Sequence, residues 1–358
     1  GMHYTPHSAA GVVSGGGPYR ALSQKEYFQN TGHDKFHSER GMPNVMAYES
    51  LAQTIGEADL VPLNTTEHPN AMYGLHDYTL NSAQGADSFN KLIETMFGTP
   101  KDAKQFAEWA QWINYNGYRA IFEGRSEHRR GMLLWMSHPA WPSMVWQTYD
   151  YYFDPTAAYF GCKKACEPLH IQWNPVREDI EVVNYHAGAQ QGIKAVAQLL
   201  NQDGKEVWKN ELAFDIEDDQ TVACFPLALD KPTTDTYYIK LVLTDKDGKV
   251  LSDNFYVRGK KEDNYQSLLT LAKTTVNADL KTKQDGNQWI VEGTVKNDTN
   301  VPALMVRLQV KGQQTKERIL PAFYNDNYFA LMPGETKSIR ITFAKQDSRG
   351  EQPFVELS

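Results

Sequence analysis

The feature that most constrains the fold is a change of pattern near residue 167. Before this point, apolar residues recur every three or four positions over long stretches; after it, short alternating segments are separated by Asp-Gly pairs. The first pattern is typical of helices and the second of antiparallel strands. The 358 residues are therefore expected to hold an α/β part followed by an all-β part.

The first part is expected to alternate strands and helices. The clearest helical pattern covers residues 101–124, with Thr99 as its N-cap. The apolar run 131–136 has the length of a parallel strand that is buried on both faces. The other predicted elements are helices over 88–97 and 155–165 and strands over 3–9 and 36–39.

The second part carries three copies of one hairpin signal. Asp-Gly occurs at 203–204, 247–248 and 285–286, each time between alternating segments. Asp-Gly tolerates the positive φ angles of tight turns, so each copy predicts a β-hairpin. Two stretches of about 90 to 100 residues with many short strands fit two sandwiches. The expected domains are 1–166, 167–258 and 259–358.

Composition excludes some partners and leaves others open. The net charge of −8 argues against nucleic acid and against an anionic membrane surface. No stretch approaches the roughly 18 apolar residues of a membrane helix, so no membrane insertion is expected. The 8 Trp and 19 Tyr residues fit a sugar-binding cleft, but they fit a large core equally well.

The sequence predicts neither a metal nor a cofactor. His33 and His37 are four residues apart, as are Cys162 and Cys166, but neither pair has further ligands at metal-site spacing. The glycine-rich segment 15–18 lacks the Lys-Ser/Thr ending of a phosphate loop and is interpreted as a turn. No Gly-x-Ser-x-Gly motif of a serine esterase is present.

Local sequence pattern alone marks three residues as candidates for a functional site. Glu39 follows a predicted strand, and α/β barrels place their active sites at the carboxyl ends of strands. The alternative is a surface glutamate in a loop. Trp135 and Trp141 could form the floor under a sugar ring or simply fill the end of a barrel. The pattern leaves these alternatives open.

Several segments together resemble glycoside hydrolase family 2, in the branch of exo-β-D-glucosaminidases and β-mannosidase-like enzymes. Residues 36–39 resemble its Phe-x-Ser-Glu motif, and residues 134–143 resemble its eighth-strand signature. Further similar segments are Gly17-Pro18-Tyr19, residues 149–172 leaving the barrel, and residues 325–335 near the end of the chain. The resemblance covers essentially the whole chain.

The resemblance implies the end of a (β/α)8 TIM barrel followed by two immunoglobulin-like β-sandwiches. It implies a retaining, exo-acting β-glycosidase in which Glu39 is the nucleophile on the seventh strand. The substrate would be an oligosaccharide or polysaccharide with a terminal glucosamine, mannose or galactose. A periplasmic or secreted parent protein is expected. The implied sugar-binding residues are Tyr19, His37, Trp135, His138 and Trp141.

Two departures from the family pattern shape these expectations. The general acid/base Glu of the family follows an Asn, but the only Asn-Glu here is Asn210-Glu211, within a predicted sandwich strand. His138 stands where relatives usually carry Asn. The chain is therefore expected to lack its acid/base, to be weakly active or inactive alone, and to self-associate or pair with a missing N-terminal half. The alternative is a non-catalytic carbohydrate-binding or structural fragment.

Overall fold

The structure is a computed structural model that describes residues 4, 6–15, 19–30, 36–82, 85–126, 131–144 and 146–358. The helices in these ranges are α1 (Gln24–Asn30), α2 (Tyr48–Ile55), α3 (Ala71–Leu75), α4 (Ala86–Phe97), α5 (Ala103–Glu123) and α6 (Ala157–Ala165). The strands are β1 (Val13–Ser14), β2 (Phe36–Arg40), β3 (Met132–Leu134), β4 (Leu169–Asn174), β5 (Asp179–Asn184), β6 (Gln190–Asn201), β7 (Glu206–Ile216), β8 (Gln220–Pro226), β9 (Thr236–Thr244), β10 (Val250–Gly259), β11 (Asn277–Asp285), β12 (Gln288–Lys296), β13 (Ala303–Val306), β14 (Leu308–Gly312), β15 (Phe323–Tyr324), β16 (Phe329–Leu331), β17 (Thr336–Ala344) and β18 (Pro353–Leu357). Among the helices described, none combines the length and the apolar character that crossing a bilayer requires.

The part before residue 167 contains a small parallel sheet with helices packed beside it. The strand order is β1-β2-β3, and both neighbouring pairs are parallel. α5 is the central helix and contacts α1, α2, α4 and α6. Gly161 of α6 approaches α5 so closely that a Cβ there would lie 2.4 Å from the backbone oxygen of Tyr115. The α/β character predicted for this part is confirmed, as a three-stranded sheet.

Three details of this part differ from the sequence prediction. Asp102, not Thr99, is the N-cap of α5, because the Asp102 carboxylate accepts a hydrogen bond from the amide of Gln105 at 2.8 Å. In β3 one face is open: Leu133 is 55% exposed while Met132 is buried. The strand predicted over 3–9 lies partly outside the described residues, and its described residues form turns and bends.

The first sandwich follows α6 and packs two antiparallel sheets. One sheet has the order β10-β9-β6-β7 and the other β4-β5-β8. In β6, alternate residues Ala195, Ala197 and Leu199 are completely buried, as expected for a strand with one face in the core. The predicted hairpins β6–β7 and β9–β10 are confirmed. In both turns the glycine of the Asp-Gly pair has a φ of 84°.

The second sandwich closes the chain. It contains a four-stranded sheet, β11-β12-β17-β15, and the strand pairs β13-β16 and β14-β18. Its core is apolar and includes Trp289, Ile341 and Phe343. The third predicted hairpin joins β11 and β12 through Gly286, whose φ is 56°. The all-β character predicted for the second part of the chain is therefore confirmed.

A buried polar network joins α5 to the first sandwich. Glu123, the last residue of α5, is fully buried, and its Oε1 lies 3.0 Å from His170 Nε2. The same oxygen accepts hydrogen bonds from Asn254 Nδ2 and the Tyr256 hydroxyl, both at 2.9 Å. On its other side, His170 Nδ1 lies 3.1 Å from a carboxylate oxygen of Glu167. A buried imidazole therefore bridges two carboxylates at this junction.

The position of His170 predicts a pH-dependent stability. Burial alone would lower its pKa, but the hydrogen bonds to Glu123 and Glu167 outweigh burial and raise the pKa above 6.5. Because the folded-state pKa is higher than the unfolded one, this contribution to stability is present in full below about pH 6.5 and is lost as the pH rises through the folded-state pKa. Between pH 6 and pH 9, the urea midpoint should fall more steeply for the wild type than for His170→Gln, measured by circular dichroism.

His186→Gln is the matched control, since His186 lies on the same sandwich but is 91% exposed. It should retain the wild-type slope. Equal slopes for wild type and His170→Gln would contradict the assignment.

Candidate functional site

Glu39 and Trp135 lie at the carboxyl ends of neighbouring parallel strands. Glu39 is the last residue but one of β2, and Trp135 follows β3 directly. The backbone nitrogen of Trp135 donates a hydrogen bond to the backbone oxygen of Arg40 at 2.8 Å. Gly41 makes this approach possible, because a Cβ on it would lie 2.0 Å from the Trp135 oxygen. The two residues therefore share one rim of the sheet.

The strand that carries Glu39 is irregular next to it. His37 pairs with Met132, and Arg40 pairs with Leu134, so β2 contains one more residue than β3 between these pairs. Such a bulge bends a strand and changes the direction of a side chain, and bulges are frequent beside active sites. The irregularity falls on Ser38 and Glu39.

Tyr19 reaches Glu39 from the segment between β1 and α1. Its hydroxyl donates a hydrogen bond to Glu39 Oε2, and both residues are partly buried. The Tyr19 ring packs against Trp146, with ring centroids 5.2 Å apart. The Tyr19 hydroxyl is thereby held at the carboxylate. Gly17 and Pro18, the other residues of this predicted motif, lie outside the described residues.

His138 packs against two aromatic rings that also contact each other, with the centroids of Tyr149 and Phe153 6.4 Å apart. Its centroid is 4.9 Å from that of Tyr149 and 5.0 Å from that of Phe153, and both rings are stacked on it. Both neighbours belong to the turn 149–154, in which Phe153 has a φ of 65°. The turn is tied to the His138 segment because the Thr148 amide donates to the Ser137 oxygen at 2.9 Å.

Trp135 and Trp141 present large aromatic surfaces to solvent, being 39% and 45% exposed. Trp141 stacks on His76, with ring centroids 5.9 Å apart. His76 Nδ1 lies 2.7 Å from the backbone oxygen of Pro142, which fixes the imidazole beneath the indole. An exposed aromatic ring supported from behind can receive the apolar face of a sugar.

The structure brings some of the predicted site residues together and places others among different neighbours. Tyr19 and Glu39 are in contact, and Trp135 adjoins them through the backbone of β2. His138 and Trp141 follow β3 on the same segment but pack on aromatic neighbours of their own. His37 is buried, at 3% exposure, and its amide donates to the Gly131 oxygen. Its role in sugar binding stays a prediction.

Sequence reasoning missed the residues that support this rim. Trp146, Phe153 and His76 pack directly on predicted site residues, as shown by the ring contacts above. The signal available was the density of aromatic residues over 146–153, a segment with five aromatic residues, at 146, 149 and 151–153, and no aliphatic ones. Nothing local indicates which rings they cover.

The turn 149–154 also contains a carboxyl with an unusual pKa. Asp150 is completely buried, and its Oδ1 accepts hydrogen bonds from the amides of Tyr152 and Asp154 at 2.9 and 3.0 Å. Burial, followed by the negative charge of Asp154, raises the pKa of Asp150 to about 7. The hydrogen bonds to Oδ1 hold the turn closed.

The structure places the only Asn-Glu pair away from this rim, on the first sandwich. Asn210 and Glu211 lie on β7, and Glu211 Oε2 is 3.8 Å from Lys194 Nζ. Within the described part of the chain, no group of three or more His, Cys, Asp or Glu residues is arranged to hold a metal ion.

Comparisons with protein families identify the two sandwiches. Residues 179–260 match the family described as the mannosidase Ig/CBM-like domain, and residues 254–358 match the exo-β-D-glucosaminidase Ig-fold domain. Residues 179–358 therefore carry Ig-fold domains of the exo-β-D-glucosaminidase and mannosidase type. This confirms the predicted immunoglobulin-like sandwiches.

Individual relatives match more of the chain. An exo-β-D-glucosaminidase from Amycolatopsis orientalis is 27% identical over 99% of the chain, which corresponds to 37% of that protein. A mannosylglycoprotein endo-β-mannosidase from Lilium longiflorum is 25% identical over 95% of the chain and 43% of that protein. The chain thus spans less than half the length of these curated relatives.

Solved structures have the same fold. The A. orientalis exo-chitosanase CsxA superposes with a TM-score of 0.86 at 24% identity, over 99% of this chain and 45% of that one. A β-D-mannosidase from Dictyoglomus thermophilum superposes with a TM-score of 0.72 at 18% identity, over 94% of this chain and 38% of that one. The homologues are glycoside hydrolases of the exo-β-glucosaminidase and mannosidase kinds.

The close approach of Gly41 to Trp135 gives a direct test of how the rim is built. Gly41→Ala would place a Cβ against a backbone oxygen, which cannot move without separating β2 from the residue after β3. The substitution should destabilise the protein by about 1–3 kcal/mol or more in urea unfolding. Hydrogen exchange at the Trp135 amide should accelerate, because its partner is the Arg40 oxygen.

Gly74→Ala is the control. A Cβ on this residue of α3 would meet Thr79 Cγ2 at 3.6 Å, an ordinary contact, and Ala is the better helix former. Its stability should be unchanged or slightly higher. If Gly41→Ala behaves in the same way, the rim is less closely packed than described.

Proposed function

We propose that this chain, which carries Ig-fold domains of the exo-β-D-glucosaminidase and mannosidase type, is the C-terminal part of a retaining, exo-acting β-glycoside hydrolase. The single observation that carries the proposal is the pairing of Tyr19 with Glu39 at the carboxyl end of a parallel strand, beside an exposed tryptophan. The names of the relatives support the same class of reaction.

Glu39 is the proposed nucleophile. In retaining hydrolysis a carboxylate attacks the anomeric carbon and forms a glycosyl ester, while a second carboxyl about 5 Å away protonates the leaving oxygen. Water then hydrolyses the ester, with the second carboxylate accepting its proton. Tyr19 engages Oε2 of Glu39, which leaves Oε1 as the attacking oxygen. The hydroxyl keeps the carboxylate oriented through both steps.

Trp135, Trp141 and His138 are the proposed sugar-binding surface, together with Tyr19 and His37. The exposure of both indoles supports this assignment, because each has a ring face available to a ligand. The proposed substrate is an oligosaccharide or polysaccharide with a terminal β-linked glucosamine or mannose. These are the sugars named for the relatives. Export from the cytoplasm would suit a parent protein that degrades a polysaccharide.

The general acid/base is proposed to come from barrel strands outside these 358 residues. In this proposal residues 1–166 are the end of a (β/α)8 barrel, followed by sandwiches at 167–258 and 259–358. The exposure of Leu133 and Val12, at 55% and 57%, supports it, since the adjacent strands of a closed barrel would cover such residues. Without those strands the open sheet should self-associate or pair with the rest of the barrel.

Activity measurements test the role of this chain. The purified 358 residues should hydrolyse an unactivated β-linked disaccharide, whose leaving alcohol must be protonated, at least about 10²–10⁴-fold more slowly than a protein extended N-terminally by the preceding barrel strands. The reason is the missing general acid catalysis. Adding the separately expressed N-terminal half should restore turnover. Rapid hydrolysis of an unactivated disaccharide by the chain alone would contradict the proposal that it is incomplete.

The nucleophile is tested in the extended protein. Glu39→Ala should abolish turnover, and added azide should restore aryl release by attacking the anomeric carbon from the vacated position, giving the α-glycosyl azide. Glu57→Ala, an exposed glutamate after α2, is the control and should retain full activity. Normal activity in Glu39→Ala would exclude Glu39 as nucleophile. An inactive extended protein that still binds the sugar would favour the alternative, a non-catalytic carbohydrate-binding fragment.

A further inference from the structure

Two arginines of the second sandwich form ion pairs with a carboxylate in the part of the chain before residue 167. Arg318 Nη1 lies 2.7 Å from Asp154 Oδ2, and Arg307 Nη2 lies 3.2 Å from the same oxygen. All three side chains are nearly buried, at 8% to 13% exposure. We call this group the Asp154 clamp. The electrostatic attraction within an ion pair shielded from water in this way is screened less than in a surface pair.

Both arginines are also fixed at their other contacts. Arg307 Nη1 lies 3.0 Å from Glu49 Oε2, and the Arg307 backbone exchanges hydrogen bonds with Ser358 at 2.8 and 3.0 Å. Arg318 Nη1 donates to Ser50 Oγ at 2.6 Å. The two arginines therefore connect the second sandwich both to α2 and to the turn that contains Asp154.

Asp154 closes the turn that covers His138. The Asp150 amide donates to the Asp154 oxygen at 3.1 Å, and the Asp154 amide donates to Asp150 Oδ1 at 3.0 Å. Tyr149 and Phe153, the two residues stacked on His138, lie within or beside this pair of hydrogen bonds. A displacement of Asp154 would therefore move both rings.

From this continuous set of contacts we infer that Arg307 and Arg318 are positioning residues for the sugar-binding segment after β3: the second sandwich holds the turn 149–154, and the turn holds His138. Nothing in the clamp touches the proposed nucleophile, so its effect is transmitted through the turn. The functional meaning rests on the proposed sugar-binding role of His138, whereas the structural coupling does not.

The coupling is measured in the chain as it stands, without sugar. In Arg318→Ala the chemical shifts of the His138 ring protons should move away from their wild-type values, because the ring currents of Tyr149 and Phe153 act on them from altered positions. The shifts are observed in proton–carbon NMR spectra and assigned with His138→Gln. Hydrogen exchange in residues 146–156 should accelerate at least tenfold. Asp154→Asn should produce the same two changes, and the double variant should add little to either single one.

Two further variants separate positioning from general destabilisation. Arg349→Ala, on the same sandwich, removes an exposed pair with Glu317 and should leave the His138 shift and the exchange unchanged. Arg318→Lys keeps a positive charge near Asp154 and should restore part of the wild-type shift. Unchanged His138 shifts in folded Arg318→Ala and Asp154→Asn would overturn the inference, even if their melting temperatures fall.

The same samples distinguish this inference from the proposed function. D-glucosamine and, in a separate titration, D-mannose are added to the wild type, and chemical shifts of the Trp135 and His138 rings are followed. If the clamp variants alter His138 but neither sugar perturbs either ring, the clamp stands as a positioning device and the proposed sugar-binding surface fails. If either sugar perturbs both rings and the clamp variants leave them unchanged, the inference fails and the proposed surface stands.

Discussion

The carboxylate of Glu123 determines how the helical part of the molecule meets the first sandwich. An ionised group without water is costly to bury unless donors surround it. Here the donors are His170 of β4 and Asn254 and Tyr256 of β10, so three side chains on two strands converge on one helix end. If the sandwich were shifted by one residue along α5, the Glu123 carboxylate would lose these donors. The network therefore favours one position of α5 relative to the first sandwich.

The same helix carries this constraint to the rim of the parallel sheet. The Tyr118 hydroxyl donates to the Met42 oxygen at 2.9 Å, and Asn114 Nδ2 donates to the Val45 oxygen at 2.8 Å. Both acceptors lie in the segment that follows β2, only a few residues beyond Glu39. Hydrogen bonds from the first sandwich hold the end of α5 in place, and hydrogen bonds from α5 hold the segment after β2. This segment continues directly from the strand that carries the proposed nucleophile. The immunoglobulin-like domains are thus part of the support of the site.

Much of the fold follows from local sequence. The Asp-Gly hairpins and α5 could be predicted because a turn or an amphipathic helix depends on residues close together in the chain. The position of Glu39 at a strand end was also predictable in this way. The N-cap was harder, because Thr99 and Asp102 are both suitable residue types and only the helix geometry selects Asp102.

Contacts between distant residues could not be predicted from the sequence. The family resemblance placed Tyr19 near the substrate, but its hydrogen bond with Glu39, 20 residues away, depends on where the loop after β1 folds. The stacking of Phe153 on His138 requires a positive φ at a residue that rarely adopts one. The open face of β3 was missed for another reason: an apolar run indicates burial, but it does not say whether this chain supplies the covering surface.

That open face connects the packing of the chain to the chemistry proposed for it. Leu133, Trp135 and Met136 are 55%, 39% and 36% exposed within one short segment. Full burial of a large apolar side chain stabilises a protein by about 1.5–3 kcal/mol, so the partial exposure of these three forgoes on the order of 2–4 kcal/mol. In the function proposed above, neighbouring barrel strands would cover Leu133, and a sugar ring would cover Trp135. Because the Trp135 amide is hydrogen-bonded to the Arg40 oxygen, the residue that carries the indole and the residue that carries the carboxylate are held at the same end of the sheet.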